Sequence, residues 1–244
     1  MKKIILLLAF CLSVGNLFAQ DANADKLREE GDAAMTAKNY PEVVAKYSEY
    51  LKLTNYEDES RVFNCAFAAY NAKKYDDAIK FYDMAIQKGY KTDDAYVGKA
   101  MSLRSQDKAA DFTATVEAGL KANAQNANLE KLLYAYCMKK GQAAQKVGKT
   151  EEAEELFKDV LVVGNAKYKG NALYSLGVMF YNAGAKILAD ANPIATSDPD
   201  KYAAEKKKAD AQMAKAKGYL EQAIALNAAD ANSKKILDAI NAAK

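Results

Sequence analysis

Aligned against itself, the chain repeats at about 34 residues, a period that signals stacked helical hairpins before any single motif is considered. The clearest copy runs from Glu59 to Thr92. Its small residues Ala66, Ala78 and Ala85 and its aromatics Tyr75 and Tyr82 fall at helical spacings on two successive amphipathic segments. One such hairpin cannot bury its own apolar stripe, so neighbouring copies must stack to complete a core. Composition supports helix throughout: 48 of the 244 residues are alanine, lysine and glutamate abound, and there are only three prolines and 12 glycines. All-β and collagen-like folds are excluded.

The other copies are less regular. An earlier one, Ala24 to Glu57, aligns Gly31, Tyr40 and Tyr47, although Val43 and Tyr50 replace the two alanines of its second helix. Pro41 falls at the start of that helix, where a missing N–H costs least. The third, Asp93 to Asn126, keeps Tyr96, Ala100, Leu103 and Gly119-Leu120 but places Phe112 where an alanine is expected. The fourth, Tyr134 to Lys167, carries Gly141, Ala144, Gly148, Ala153 and Phe157, and Ala127 to Leu133 extend its first helix backwards. A fifth begins at Gly170 with Leu176-Gly177, yet its second half, Ala216, Leu220 and Ala223, arrives 27 residues late. Ala183 to Ala191 prolong its first helix, Asn192 to Asp198 form a turn, and Asp198-Pro199 offers an N-cap with proline behind it. Tyr202 to Leu226 then reads as one long helix. Some 13 extra residues per arm project this hairpin roughly 20 Å beyond its neighbours. The last segment, 231–244, carries Ile236, Leu237 and Ile240 on one face and reads as a capping helix for the stack.

This pattern resembles the tetratricopeptide repeat. That family places a small residue within the first helix, an aromatic at the turn, and alanine, aromatic, alanine along the second; here these are Ala66, Tyr75, Ala78, Tyr82 and Ala85. The resemblance covers nearly the whole chain after residue 19, most specifically in the second and fourth copies. It implies an all-α fold: a right-handed superhelical solenoid of antiparallel helix pairs, about five hairpins plus a C-terminal capping helix, in one domain over residues 20–244.

Residues 1–19 read as a cleaved secretory signal. Met1-Lys2-Lys3 is a short positive start, Ile4 to Val14 an apolar run, and Leu17-Phe18-Ala19 ends on a small residue before Gln20. The run is too short for a spanning helix of about 20 residues, and no other stretch is apolar enough to cross a bilayer. The pattern resembles an exported bacterial protein, so a periplasmic or secreted location is expected. Loss of Lys2 and Lys3 takes the formal charge from +3 to +1, and only Arg28, Arg61 and Arg104 are arginines. Without a concentrated basic footprint, nucleic-acid binding is not expected. Cys65 and Cys137 fall on first helices two repeats apart, too far for a disulfide, and read as small core residues.

The chain has no histidine, which removes the commonest general base and metal ligand. It also lacks a glycine-rich phosphate loop and a GxSxG elbow. Neither catalytic residues nor a cofactor nor a metal site is expected. The acidic groups Glu57-Asp58-Glu59, Asp76-Asp77 and Glu151-Glu152 sit at helix starts, where the helix dipole accounts for them. Lys206-Lys207-Lys208 reads as a solvated face, with contact to an anionic envelope surface as the alternative.

The resemblance supplies candidate binding residues, because first helices of such repeats line a concave groove. The second copy places Phe63, Phe67, Tyr70 and Asn71 there, the third Val97, Met101 and Arg104, and the fifth Asn171, Tyr174, Val178, Tyr181 and Asn182. The first contributes Arg28 and Asp32, and the fourth Met138, Gln142 and Gln145. The implied role is a non-enzymatic scaffold or adaptor of the cell envelope that holds a peptide or protein partner through aromatic anchors. The same rings suit a glycan or small-ligand module of a surface uptake system, and the long fifth hairpin suits a homodimer or other self-associating structure. Packing of Phe63, Tyr70, Tyr174 and Tyr181 between hairpins is the competing reading. A clamp for C-terminal carboxylates, built in this family on groove lysines and asparagines, is not expected, because Phe63, Phe67, Val97 and Met101 occupy the corresponding sites.

Overall fold

A computed structural model describes residues 22–242; the signal segment and its cleavage point lie outside them. Every regular element among the described residues is helical. Helix α1 spans 22–36, followed by α2 Tyr40–Leu53, α3 Glu59–Asn71, α4 Tyr75–Gln87, α5 Thr92–Ser105 and α6 Ala109–Ala122. Then come α7 Ala127–Lys146, α8 Thr150–Asp159, α9 Ala166–Ala191, α10 Pro199–Leu226 and α11 Ala231–Ala242, with 3-10 turns at Val160–Val162 and Asn192–Ile194. The chain divides into two compact units, one up to Gly119 and one from Leu120.

Helix boundaries follow from local chemistry. Asp58, Asn126, Asn165 and Asp198 cap α3, α7, α9 and α10 by accepting from backbone N–H groups two or three residues on. Pro41 and Pro199 occupy the first turns of α2 and α10, where no donor is lost. Gly89 and Gly148 end α4 and precede α8 at φ +72° and +78°, a backbone that side chains with a Cβ resist.

In the first unit α2 packs on α3, α3 on α4 and α4 on α5, with α5 also reaching α3. The closest approaches set a ring against a residue without a side chain. Tyr47 lies over Gly31, and Tyr82 lies over Gly98, so that even a Cβ at either glycine would run into the ring. In the second unit the same device joins Phe157 to Gly141 and Leu220 to Gly177, where an added Cβ would stand 2.6 Å from the facing side chain. Phe112, which takes an expected alanine position, is fully buried. Cys65 and Cys137 are buried and free, and burial pushes each thiol up to about 12, so neither presents a thiolate.

A polar tie links α1, α2 and α3. Arg61 grips Asp32 with Nη2 at 2.7 Å from Oδ2 and Nε at 3.3 Å from Oδ1, while the Tyr47 hydroxyl donates to Oδ1 at 2.6 Å. Partial burial opposes the Asp32 charge, but the bonds from Arg61 and Tyr47 outweigh it and hold the carboxyl below its ordinary value. A depressed carboxylate stabilises the fold fully above the unfolded value of about 3.9 and stops doing so as pH falls through the folded value. Thermal melts of wild type and Asp32→Asn should therefore differ at pH 7 and converge below about pH 4. A gap that stays constant down to pH 2.5 would show that the tie carries no charge-dependent stability.

Candidate functional site

The nine principal candidates fall six on the first unit and three on the second. On α3, Cys65, Ala66, Ala68 and Ala69 are fully buried, whereas Phe67 between them is 42% exposed. Its ring meets Tyr40 edge-on at 6.0 Å, which holds it in place while leaving a face in water. Asn71 is exposed, and its amide donates to the Phe67 carbonyl at 2.8 Å. Phe63 is half-buried: its ring stands 5.8 Å from Tyr82 and 6.2 Å from Tyr90, and the Lys91 ammonium lies 5.1 Å from its centroid. Tyr70 is half-buried beside Tyr75. Phe63 and Tyr70 therefore divide their surfaces between packing and solvent.

Met101 and Arg104 are half-buried on α5. Arg28 pairs with Asp25 at 3.0 Å and Arg61 with Asp32, so both of these guanidinium groups are engaged within the unit. Asp32, expected to face the groove, is the acceptor of that second pair. Met138 is buried and belongs to the core of the second unit rather than to a groove wall. Of the remaining candidates, Tyr174 and Tyr181 are half-buried and Asn182 is exposed on α9. Asn171 donates to the Tyr134 hydroxyl at 2.8 Å, and Tyr134 stacks on Tyr168 at 4.3 Å.

Two grooves lie within single units. The larger, of about 860 Å³, runs along the α9–α10 hairpin past the end of α11, with Tyr181, Leu188, Tyr202, Met213 and Ile240 among its walls. The smaller, of about 470 Å³, is formed by α4, α5 and α6 around Ile79, Ile86, Tyr96 and Leu103. Tyr181 belongs to the first; the other eight candidates line neither. Tyr202 and Leu188 escaped the repeat register because they sit in the inserted arms, which no register position describes; Met213, three residues before Ala216 as Tyr75 is before Ala78, falls on a second helix, outside the first-helix positions that line a groove. Among the described residues no cluster of histidine, cysteine, aspartate and glutamate is arranged to hold a metal, and no helix is long and apolar enough to cross a membrane.

Comparison with known proteins gives the class. No family model matches the chain. The solved structure of a TPR repeats protein from Bacteroides fragilis NCTC 9343 is 43% identical, with a TM-score of 0.85, over 91% of this chain and 99% of that one. Among curated proteins, Hsp70-Hsp90 organizing protein 1 of Glycine max is 30% identical over 154 residues, 60% of this chain and 26% of that protein. The chain thus spans about a quarter of that relative's length. The chain belongs to the tetratricopeptide-repeat family. Its fold is that of a protein–protein interaction scaffold, in a family whose repeats are generally non-enzymatic.

Proposed function

We propose that the chain is an exported, non-enzymatic adaptor that captures a peptide or protein segment on the aromatic face of its first unit. The observation that carries this reading is Phe67, a large ring held edge-on by Tyr40 yet 42% exposed in a helix whose other small and apolar side chains are mostly buried. Such a ring gains little for the fold and gains most when a partner covers it. Asn71 lies one turn from Phe67 on α3, and α5, which also touches α3, offers partly exposed Met101 and Arg104 as one apolar and one cationic group. Arg104 makes no ion pair among the described residues, so its charge is open to a carboxylate on the partner.

Export rests on the Lys2-Lys3 start and the Ile4–Val14 run. The Hsp70-Hsp90 organizing protein links the family by name to chaperone partners. The apolar residues at the sites of the carboxylate clamp point this chain to a different partner.

The mature chain, Gln20 to Lys244, immobilised and presented with envelope extract of its native cell, should retain a partner that the Phe67→Ala variant loses. A central anchor is worth about 2 kcal/mol, or roughly thirtyfold in affinity. The helical melt of the variant should stay unchanged. Equal capture by both proteins removes Phe67 from the site, and selective binding on a glycan array would replace the protein partner with a sugar. The N-terminus of the protein recovered from that cell should be Gln20; an intact Met1 would refute export.

A further inference from the structure

The α9–α10 hairpin is longer than anything that packs on it. Its arms have 26 and 28 residues, whereas α11, which turns back from α10 at Asn227–Asp230 and lies against both arms, has 12. At about 1.5 Å per residue, α11 covers roughly 18 Å of a helix some 42 Å long. Its last turn, at Ile240, borders the groove near Lys217, and the groove continues to Tyr202 and Asn192 at the hairpin tip. Tyr181, Leu188, Tyr202 and Met213 are all partly exposed along it.

The charges on this face are balanced. Lys206 and Asp210 both line the groove and pair with each other at 2.9 Å. The next pair along, Lys217 and Glu221, is likewise neutral as a whole. A strongly acidic or basic partner would find no complementary field here. The order of the charges does fit one occupant: Lys206 and Asp210 are equidistant from position 208. An antiparallel copy of α10 centred there sets each lysine against the other copy's aspartate, closing a square of alternating charge. Lys208 itself points away from this arrangement and pairs with Glu205.

We propose that the outer half of the α9–α10 hairpin is a self-association surface, and that its occupant is the same half-hairpin of a second copy of this chain, packed antiparallel across a two-fold axis. The apolar groups Tyr181, Leu188, Tyr202 and Met213 supply the burial, and the Lys206–Asp210 square fixes the register. An isologous contact of this kind closes on itself and stops at the dimer. The open stretch, about 24 Å of α10 that α11 leaves uncovered and two helices wide, offers a little over half the ~800 Å² per partner of a standard interface. A contact of that size belongs with weak, reversible associations, so the test spans the micromolar range.

Sedimentation of the mature chain from about 1 to 200 µM should show monomer passing to dimer. Lys206→Asp and Asp210→Lys each place four like charges around the axis and should raise the dissociation constant about tenfold. Lys206→Asp combined with Asp210→Lys restores the alternation and should return it to within about threefold of wild type. Both residues are exposed, so the helical spectrum serves as the control for folding. A monomer throughout, a dimer indifferent to the single swaps, or a double swap without rescue would each overturn the proposal. None of these outcomes bears on capture through Phe67.

Discussion

Phe157→Ala should cost the second unit about 3–5 kcal/mol in denaturant unfolding followed by far-ultraviolet dichroism. The ring is fully buried and presses on the bare backbone of Gly141, where an added Cβ would be 2.6 Å from it. Removing it opens a void between α7 and α8 that an alanine cannot fill and that the backbone at Gly141 cannot enter. Gly141→Ala alone overpacks the same spot and should cost about 1–3 kcal/mol. In the Phe157→Ala background the new methyl enters vacant space, so the second substitution should cost nothing or regain stability. A loss below about 1.5 kcal/mol for Phe157→Ala, or simple additivity of the pair, would show that α7 and α8 close up freely.

The second large effect belongs to Glu130. It is 7% exposed on α7, and its Oε1 accepts from the backbone N–H of Gly164 and, at 3.0 Å, of Asn165, pinning the strap between the 3-10 turn and α9. Glu130→Ala removes a charged acceptor from two donors at once and should cost about 1.5–3 kcal/mol. Glu130→Gln keeps an oxygen in place and should cost less. Hydrogen exchange is the decisive readout, because the amides of Gly164 and Asn165 should lose protection ahead of the helices on either side. Unchanged protection in Glu130→Ala would mean that Glu130 does not hold the strap.

Much of the fold was legible because each hairpin writes its contacts at fixed intervals. The alanines and glycines mark where helices touch, and the rings mark what they touch. Legibility stopped where a contact is made once, by polar side chains outside the pattern of small residues and rings. The Asp32–Arg61–Tyr47 tie joins residues 29 and 15 positions apart, and Glu130 reaches 34 residues on to Gly164. Neither leaves a periodic trace. The register also assigns an angle around a helix without saying what covers it. Phe63 and Phe67 are one turn apart on α3, but Tyr82 and Tyr90 crowd the first while the second meets Tyr40. The inserted length after Ala183 announced a projecting hairpin, and the last segment a short cap; the groove beside α11 depends on how that cap lies against the two arms, which only the packing reveals.

Tyr82 has one more implication. Its ring comes from the second hairpin, and the notch that receives it, Gly98, belongs to the third, so this lock straddles the boundary at which the repeats are counted. Gly31 with Tyr47, and Gly141 with Phe157, keep theirs within a hairpin. A recombination event or a designer who cuts at Thr92 and swaps whole hairpins would strand a tyrosine on one side and an empty notch on the other. At this junction the heritable module is the second helix of one hairpin together with the first of the next, half a period out of phase with the repeat as written.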